Sequence, residues 1–584
     1  MKRLVSSILL ACTLLLVPAV AEAQKQVVKL KIVETSDVHG HYYPYDFIEQ
    51  HDAPGSLARV STFVREQRRE CGDEGLILLD NGDFLQGQPS AYYYNYMDTV
   101  APHVGAAMLN YMGYDAGNMG NHDVETGRGV FERWAAQCRF PVLGANIVEE
   151  ATGRPRFKPY VVLERQGVRV AVLGMVTPAI PMWLPRSLWA GLRFDDMEQT
   201  ARRWMEVIRR EERADVVIGL FHAGREPYVM GGKYRENASA EVAARVPGFD
   251  AVLMGHDHVR ACAKVAGAEG DSVVLVNPAN NALTVACVDI TLTLEDGEVK
   301  AKQVEGSLAD VGQLPPDADF LRRFQPQREA VQAFVGKRIG RLAEAISTRP
   351  AYFGPSAFVD LIHELQLEIG EAEISLAAPL SLDTQIAAGD VWVSDMFKLY
   401  KYENLLYTMR LTGQEVHDAL EMSYGLWTGQ MRSPGDHLLL LRPAGEGAPD
   451  ERAAFQHPSY NFDSAAGIRY TVDVSKPAGQ RVHIVSMADG TPFDPAREYR
   501  VAVNSYRGNG GGELLTRGAG IPQEELAGRI ISSTDKDLRF YLMQYIERKG
   551  IIMPRALGLW KFIPEDWVSR AAERDYEYLF GGEE

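Results

Sequence analysis

The stretch Met119-Gly120-Asn121-His122-Asp123 places a neutral oxygen ligand, an imidazole and a carboxylate on three successive residues. Tyr114-Asp115-Ala116 leads into it, and a polar, Gly-containing segment from Val124 to Gly129 follows. Taken alone, this stretch is a weak signal and fits a turn better than chemistry. Four further motifs change the reading: Asp37-Val38-His39, Gly82-Asp83, His222 in Leu220-Phe221-His222-Ala223-Gly224, and Gly255-His256-Asp257-His258. Each follows an apolar, β-prone run: Val28 to Val33, Leu76 to Leu79, Val216 to Leu220 and Phe249 to Met254. Further strands are expected over Phe140 to Asn146, Val168 to Val176, Val273 to Val276 and Leu283 to Leu294. Helical patterns cover Leu57 to Arg69, Val104 to Tyr111 and Glu198 to Glu212. Strands alternating with helices indicate an α/β layer structure. In such sheets ligands collect beyond the carboxyl ends of the strands, which is where all five motifs fall.

The motifs supply seven candidate metal ligands: Asp37, His39, Asp83, Asn121, His222, His256 and His258. Mixed carboxylate, amide and imidazole donors suit Mn, Fe, Co or Zn better than Ca or Mg, which favour oxygen alone. Asp37 and His39, two residues apart at a strand end, can point to one side. Asp83 has two carboxylate oxygens and is expected between two ions. A pair of ions roughly 3.5–4 Å apart can clamp a phosphate ester and activate a bridging hydroxide for in-line attack. His122 then stabilises the phosphoryl group or protonates the leaving alkoxide, and Asp123 is expected to fix its ring.

The chain has 584 residues, too many for one hydrophobic core, so at least two domains are expected. Hydrophobic residues make up 46% and charged residues 24%, as in ordinary folded proteins. A formal net charge of −17 argues against polymeric nucleic acid as a partner, since the phosphate backbone calls for a basic surface. Small phosphate esters stay open, because bound cations supply local positive charge. Lys2-Arg3, the apolar run Val5 to Val17 and Ala21-Glu22-Ala23 read as an export signal, and the periplasm is the expected location. No stretch after it is long enough to span a membrane. Cys12 would leave with the signal. Cys71, Cys138, Cys262 and Cys287 match no zinc-finger spacing and read as buried thiols or one bridge.

Pro315 to Asp319 forms a polar break, and Pro326 to Val335 resumes as a helix. Beyond it, Phe358 to Glu364, Val391 to Tyr400 and Gln414 to Met422 look helical, while Leu405 to Leu411 and Arg469 to Val474 look like strands. This half has no cluster of ligand-type residues and reads as an α+β domain that binds rather than reacts. Two of its stretches suit a nucleobase: Ser459-Tyr460-Asn461-Phe462-Asp463, and Val503 to Gly512, with Tyr506 beside a glycine run. Two facing aromatics can sandwich a base, at roughly 1–3 kcal/mol per stacked base. By spacing alone the core reading is the better one, since Tyr and Phe at strand positions are usually core.

The five N-terminal motifs resemble the calcineurin-like metallophosphoesterases, and within them the exported nucleotidase family. The resemblance implies an N-terminal β-sandwich flanked by helices (α/β), a linker helix and a C-terminal α+β nucleotidase domain. The corresponding boundaries are 1–23 for the signal peptide, 24–312 for the catalytic domain, 313–340 for the linker helix and 341–584 for the substrate domain. It implies one ion on Asp37, His39 and His258, a second on Asn121, His222 and His256, Asp83 bridging, and a catalytic dyad of His122 and Asp123. Tyr-Asn-Phe-Asp, Gly-Ile-Arg-Tyr and Asn-Ser-Tyr-Arg are similar to the periplasmic 2′,3′-cyclic-nucleotide 2′-phosphodiesterase/3′-nucleotidases. That similarity implies cyclic or 3′-nucleotides as substrates, base stacking by Tyr460 and Tyr506, and a site lined by Arg507, Gly508, Asn509, Gly510 and Gly511. Gly510-Gly511-Gly512 is closer to the 5′-nucleotidase branch, so a 5′-nucleotidase or UDP-sugar hydrolase is the alternative. The resemblance also implies that the two domains rotate relative to each other.

Overall fold

The computed structural model describes residues 25–230, 232–442 and 455–581. The expected signal segment, 1–23, lies outside the described residues. The N-terminal part is built on twelve strands: β1 (Lys25–Thr35), β2 (Leu76–Asp80), β3 (Ala116–Asn118), β4 (Val142–Leu143), β5 (Tyr160–Arg165), β6 (Val168–Val176), β7 (Val216–His222), β8 (Ala251–Met254), β9 (Arg260–Ala266), β10 (Ser272–Pro278), β11 (Thr284–Glu295) and β12 (Glu298–Asp310). They form two six-stranded sheets, ordered β12-β11-β1-β2-β3-β4 and β9-β10-β8-β7-β6-β5. Within each sheet the central strands run parallel: β1 to β4 in the first, and β6, β7, β8 and β10 in the second.

Alternation decides which way each strand faces. In β2 every side chain is buried, but Ile77 and Leu79 pack between the sheets while Leu76 and Leu78 pack under the helices. The inner layer joins Val28, Leu30 and Ile32 of β1 to Val170 and Val172 of β6 and Ile218 and Leu220 of β7. Each such fully buried side chain contributes about 1.5–3 kcal/mol of transfer free energy. The helix Leu57–Cys71 covers the outer face with Leu57, Val60 and Val64, and Ser56 caps it by accepting from the Arg59 amide. Both sheets therefore end their parallel strands at one rim, where the motif residues lie.

The expected strand over Phe140 to Asn146 shrinks to Val142–Leu143. Strands β5, β9 and β12 went unread, because none of them holds a fully buried residue. The helices Ala318–Arg323 and Gln325–Val335 lead into the second half. There a five-stranded sheet is built from β13 (Ile374–Ala377), β14 (Leu405–Thr412), β15 (Ser464–Ala466), β16 (Glu498–Asn504) and β17 (Ile530–Asp537), in the order β15-β13-β16-β14-β17. The helices Ala357–Gly370 and Gly413–Trp427 pack on it. The expected helix over Val391 to Tyr400 divides into a short strand, Gly389–Trp392, and the helix Val393–Leu399.

Polar contacts hold the two halves together beside the rim. Tyr92 donates to Asp537 (3.0 Å) and Tyr96 to Glu403 (2.9 Å). Farther out, Gln50 donates to Ser394 (2.9 Å) and Lys398 to Glu49 (2.7 Å).

Candidate metal centre and substrate site

Two buried amides stitch the sheets together under the rim. Asn81 Nδ2 donates to the Phe221 and Leu253 carbonyls at 3.2 and 3.3 Å, and to Glu34 at 2.9 Å. Asn118 Nδ2 donates to Met175 (2.8 Å) and Leu220 (3.1 Å). On this base the motif residues converge. Asp37, His39 and His258 form one group, and Asp83, His222 and His256 a second, each with its ligand atoms within 4.8 Å of one another. Asn121 joins the second group, its Oδ1 lying 3.1 Å from His222 Nε2.

The backbone under these residues is unusual. Asp37, His39, Asp83, His256 and His258 have φ of +51°, +48°, +53°, +76° and +57°. Left-handed backbone at non-glycine residues costs about 1–3 kcal/mol each and collects at functional sites. Gly120 serves close approach instead: a Cβ there would lie 2.2 Å from Asp83 Oδ1.

Hydrogen bonds orient the rings. His39 Nδ1 donates toward the Gln86 carbonyl and side-chain oxygens, both at 3.2 Å, which turns Nε2 toward His258 and Asp37. His222 Nδ1 donates to the Asn81 carbonyl at 2.7 Å, which turns Nε2 toward Asn121 and Asp83. Such outer partners set the tautomer of a metal-binding imidazole. Burial would raise the Asp37 carboxyl, but His222 and His258 outweigh it and hold it at about 2. Burial would likewise lower His222, and Asp83 and Asp37 push it up to about 9. His39 is lowered to about 3, first by burial and then by His258.

His122 lies on the helix Asn121–Glu125, its ring centroid 5.5 Å from that of His39. The expected contact with Asp123 is not made. Asp123 instead accepts from four backbone amides, those of Asp83, Phe84 and Leu85 at 2.9 Å and that of Gly120 at 2.8 Å. It holds the Asp83 loop against the helix. The carboxylate on His122 belongs to Glu125, whose Oε2 is 2.5 Å from Nδ1. The physical reason is helical: residues three apart share a face, and adjacent residues do not. Burial would lower His122, yet Asp83 and Glu125 push it up to about 10.

The donor set fits divalent ions. Asp83 Oδ2 is buried with no hydrogen-bond partner, although it lies 3.1 Å from His222 Nε2. His39 Nε2 and His258 Nε2 face each other at 3.0 Å. A buried carboxylate oxygen left without a partner calls for an explanation, and a cation at this point provides one.

In the second half, Tyr460 and Tyr506 meet edge to face, with ring centroids 6.0 Å apart and an interplanar angle of 89°. Tyr402 adds a third ring, 6.3 Å from Tyr460. The two rings therefore stand perpendicular and do not face each other as a sandwich. Gly511 allows the close packing, since a Cβ there would lie 2.5 Å from the Tyr506 ring. Arg507, expected to line the site, is only 1% exposed. Its guanidinium makes a two-pronged pair with Asp463, both bonds at 2.9 Å, and donates to the Tyr460 and Gly511 carbonyls. It pins the two stretches to each other instead of facing a ligand. Gly508 is closed off by the Tyr407 ring, and Gly510 by Gln523. Asn509 does reach across: its amide donates to the Trp183 carbonyl (3.4 Å), and the Trp183 ring lies 5.6 Å from that of His256.

Residues 30–260 match the calcineurin-like phosphoesterase family, and residues 338–517 match the 5′-nucleotidase C-terminal domain. The chain carries a calcineurin-like phosphoesterase domain followed by a 5′-nucleotidase C-terminal domain. It is similar to the trifunctional nucleotide phosphoesterase protein YfkN of Bacillus subtilis, at 27% identity over 92% of this chain and 39% of that protein. The phosphoesterase therefore spans well under half the length of that relative. It is also 26% identical to the 2′,3′-cyclic-nucleotide 2′-phosphodiesterase/3′-nucleotidase of Haemophilus influenzae, over 92% of this chain and 88% of that one. The crystal structure of the 5′-nucleotidase precursor from Thermus thermophilus matches with a TM-score of 0.61 at 22% identity, covering 92% of this chain and 100% of that one, and shares its fold.

Within the phosphoesterase, several site residues escaped the sequence reading. Glu125 had a signal, its place three residues beyond His122 on a short helix. Asn81 had one too, inside Asp80-Asn81-Gly82-Asp83. Gln86, Asn280, Trp183, Tyr402 and Glu236 had none, since each meets the site only through tertiary contact. Cys71, Cys138, Cys262 and Cys287 are all free thiols.

Proposed function

We propose that this metal-dependent phosphoesterase hydrolyses nucleotides, with 2′,3′-cyclic nucleotides and 3′-nucleotides as its preferred substrates. The observation that carries the reading is Asp83. Its buried oxygen, 3.1 Å from His222 Nε2, stands among the two His/Asp groups, with His122 beside them. Asp37, His39 and His258 would hold one divalent ion, and Asn121, His222 and His256 the other, with Asp83 shared. Bound ions of the Mn, Fe, Co or Zn type supply charge neutralisation of the phosphate and an activated nucleophile.

The chain's own residues do the rest. His122, charged and held by Glu125, stands next to the site, where it can donate a hydrogen bond to a phosphoryl oxygen or a proton to the leaving oxygen. Asp123 keeps the Asp83 loop in place. Tyr460 and Tyr506 would take the base once the edge-to-face contact opens, and Asn509 sets their loop over Trp183. The choice of cyclic and 3′-nucleotides is supported by the similarity to the Haemophilus influenzae enzyme along nearly its whole length.

The protein is proposed to be exported to the periplasm, on the strength of Lys2-Arg3, the apolar run and Ala21-Glu22-Ala23. Among the described residues no helix is long and apolar enough to cross a membrane. The test of substrate class is product formation from 2′,3′-cyclic AMP, 3′-AMP, 5′-AMP and UDP-glucose, side by side, with Mn, Co and Zn, reading nucleoside and nucleoside monophosphate by chromatography and free phosphate alongside. Highest kcat/KM on the first two is expected. Activity confined to 5′-AMP or UDP-glucose overturns the assignment.

A further inference from the structure

A short hairpin of the N-terminal half, Val229–Met230 paired with Tyr234–Arg235, brings Glu236 to the rim of the metal centre. Glu236 Oε1 lies 2.9 Å from His256 Nε2, and both side chains are largely buried, at 16% and 11% exposure. The segment is fixed on either side. Arg235 is held by Asp196 at 2.8 Å and by Glu198 at 3.1 Å, and Asn237 accepts from the Gly224 amide at 2.7 Å. The Glu236 amide itself donates to the Tyr228 carbonyl at 2.8 Å. A carboxylate held this firmly is preorganised for its partner.

The choice of ring nitrogen gives the contact its meaning. His39 and His222 each spend Nδ1 on an oxygen of the protein and keep Nε2 for the site. His256 does the reverse. A carboxylate oxygen in this contact accepts, so Nε2–H is the donor of the pair and Nδ1 is the nitrogen turned to the centre. Nδ1 is the nitrogen nearer the backbone, and the His256 backbone is drawn in close, its amide donating to the Asp37 carboxylate at 3.1 and 3.2 Å.

We propose that Glu236 is a positioning residue of the metal centre, which holds His256 in the Nε2–H tautomer so that Nδ1 is presented to the second ion. The inference rests on the assignment of His256 as a ligand, made above. Loss of such an outer partner typically costs about 10–100-fold in metal affinity.

The experiment uses the full chain, stripped of metal and titrated with Co(II), with the visible absorption spectrum and chelator competition as readouts. Glu236→Ala is expected to weaken one of the two Co(II) sites by about 10–100-fold and to alter its spectrum, leaving the other site unchanged. Glu236→Gln, whose amide oxygen still accepts from Nε2, is expected to recover much of the affinity; it also covers the case in which Glu236→Ala does not fold. Wild-type affinity and spectrum at both sites in Glu236→Ala overturn the inference, as does equal weakening of both. His256→Ala separates the two levels. If it loses one ion while Glu236→Ala keeps both, the positioning role alone is wrong. If His256→Ala also binds two ions normally, the ligand assignment is wrong with it.

Discussion

Replacing Glu125 by Gln tests the division of labour between the two carboxylates near His122. The Glu125 carboxylate is buried, 7% exposed, and 2.5 Å from His122 Nδ1. A hydrogen bond to a charged group contributes about 1.5–3 kcal/mol, against about 0.5–1.5 for a neutral one. Glu125→Gln therefore removes roughly 1–2 kcal/mol of orientation and charge support. At about 1.4 kcal/mol per tenfold, turnover falls roughly 5- to 30-fold. Asp123→Asn acts differently. Its carboxylate satisfies four backbone N–H groups, and an amide can face only two of them with an oxygen. Each buried donor left without a partner costs about 1–3 kcal/mol, so the Asp83 loop loosens. That variant is expected to lose bound metal and thermal stability together with activity. The assay is phosphate release at saturating Mn, alongside metal content and melting temperature. If Glu125→Gln keeps turnover within twofold, while Asp123→Asn loses turnover with normal metal content and melting temperature, Asp123 orients His122 and the reasoning fails.

Three further outcomes follow from the same geometry. Asp83→Ala should lower the occupancy of both ions at once, read by metal analysis after dialysis; loss of a single ion would show that Asp83 is not shared. Tyr506→Ala should raise KM for nucleotides by about 5- to 150-fold, from about 1–3 kcal/mol of stacking, and leave bis(p-nitrophenyl) phosphate unaffected; an equal effect on both substrates would count against base stacking. Stability should fall in acid. Burial lowers His103 and His363 to about 3, so both are neutral in the fold while the unfolded chain protonates near pH 6.5. Their support is complete above pH 6.5 and is lost toward pH 3, at about 1.4 kcal/mol per pH unit for each group. His363→Asn should flatten the melting-temperature profile across that window, and an unchanged slope would contradict this account.

The C-terminal half shows where local pattern stops being a guide. Arg507 stands in an exposed-looking Asn-Ser-Tyr-Arg-Gly stretch, yet it is buried and spent on Asp463, 44 residues earlier in the chain. Tyr460 and Tyr506 are brought together as expected, but the angle between their rings depends on the packing of Gly511 and Tyr402. Nothing in the order of residues carries that angle.

By itself the sequence determined that apolar runs such as Leu76-Ile77-Leu78-Leu79 would be buried strands and that polar motifs would sit at their ends. That much is local, because a strand's burial and its stop signals lie within a few residues of each other. It also determined the donor types, carboxylate, amide and imidazole. The tertiary structure alone decided which oxygens lie beside the imidazoles, those of Gln86 on His39, Asn81 on His222 and Glu236 on His256. It alone decided that Glu125 and not Asp123 reaches His122. Tautomer and reach depend on what the opposite sheet, helix or hairpin places within about 3 Å. Such partners are dozens to hundreds of residues away along the chain, and only folding brings them together.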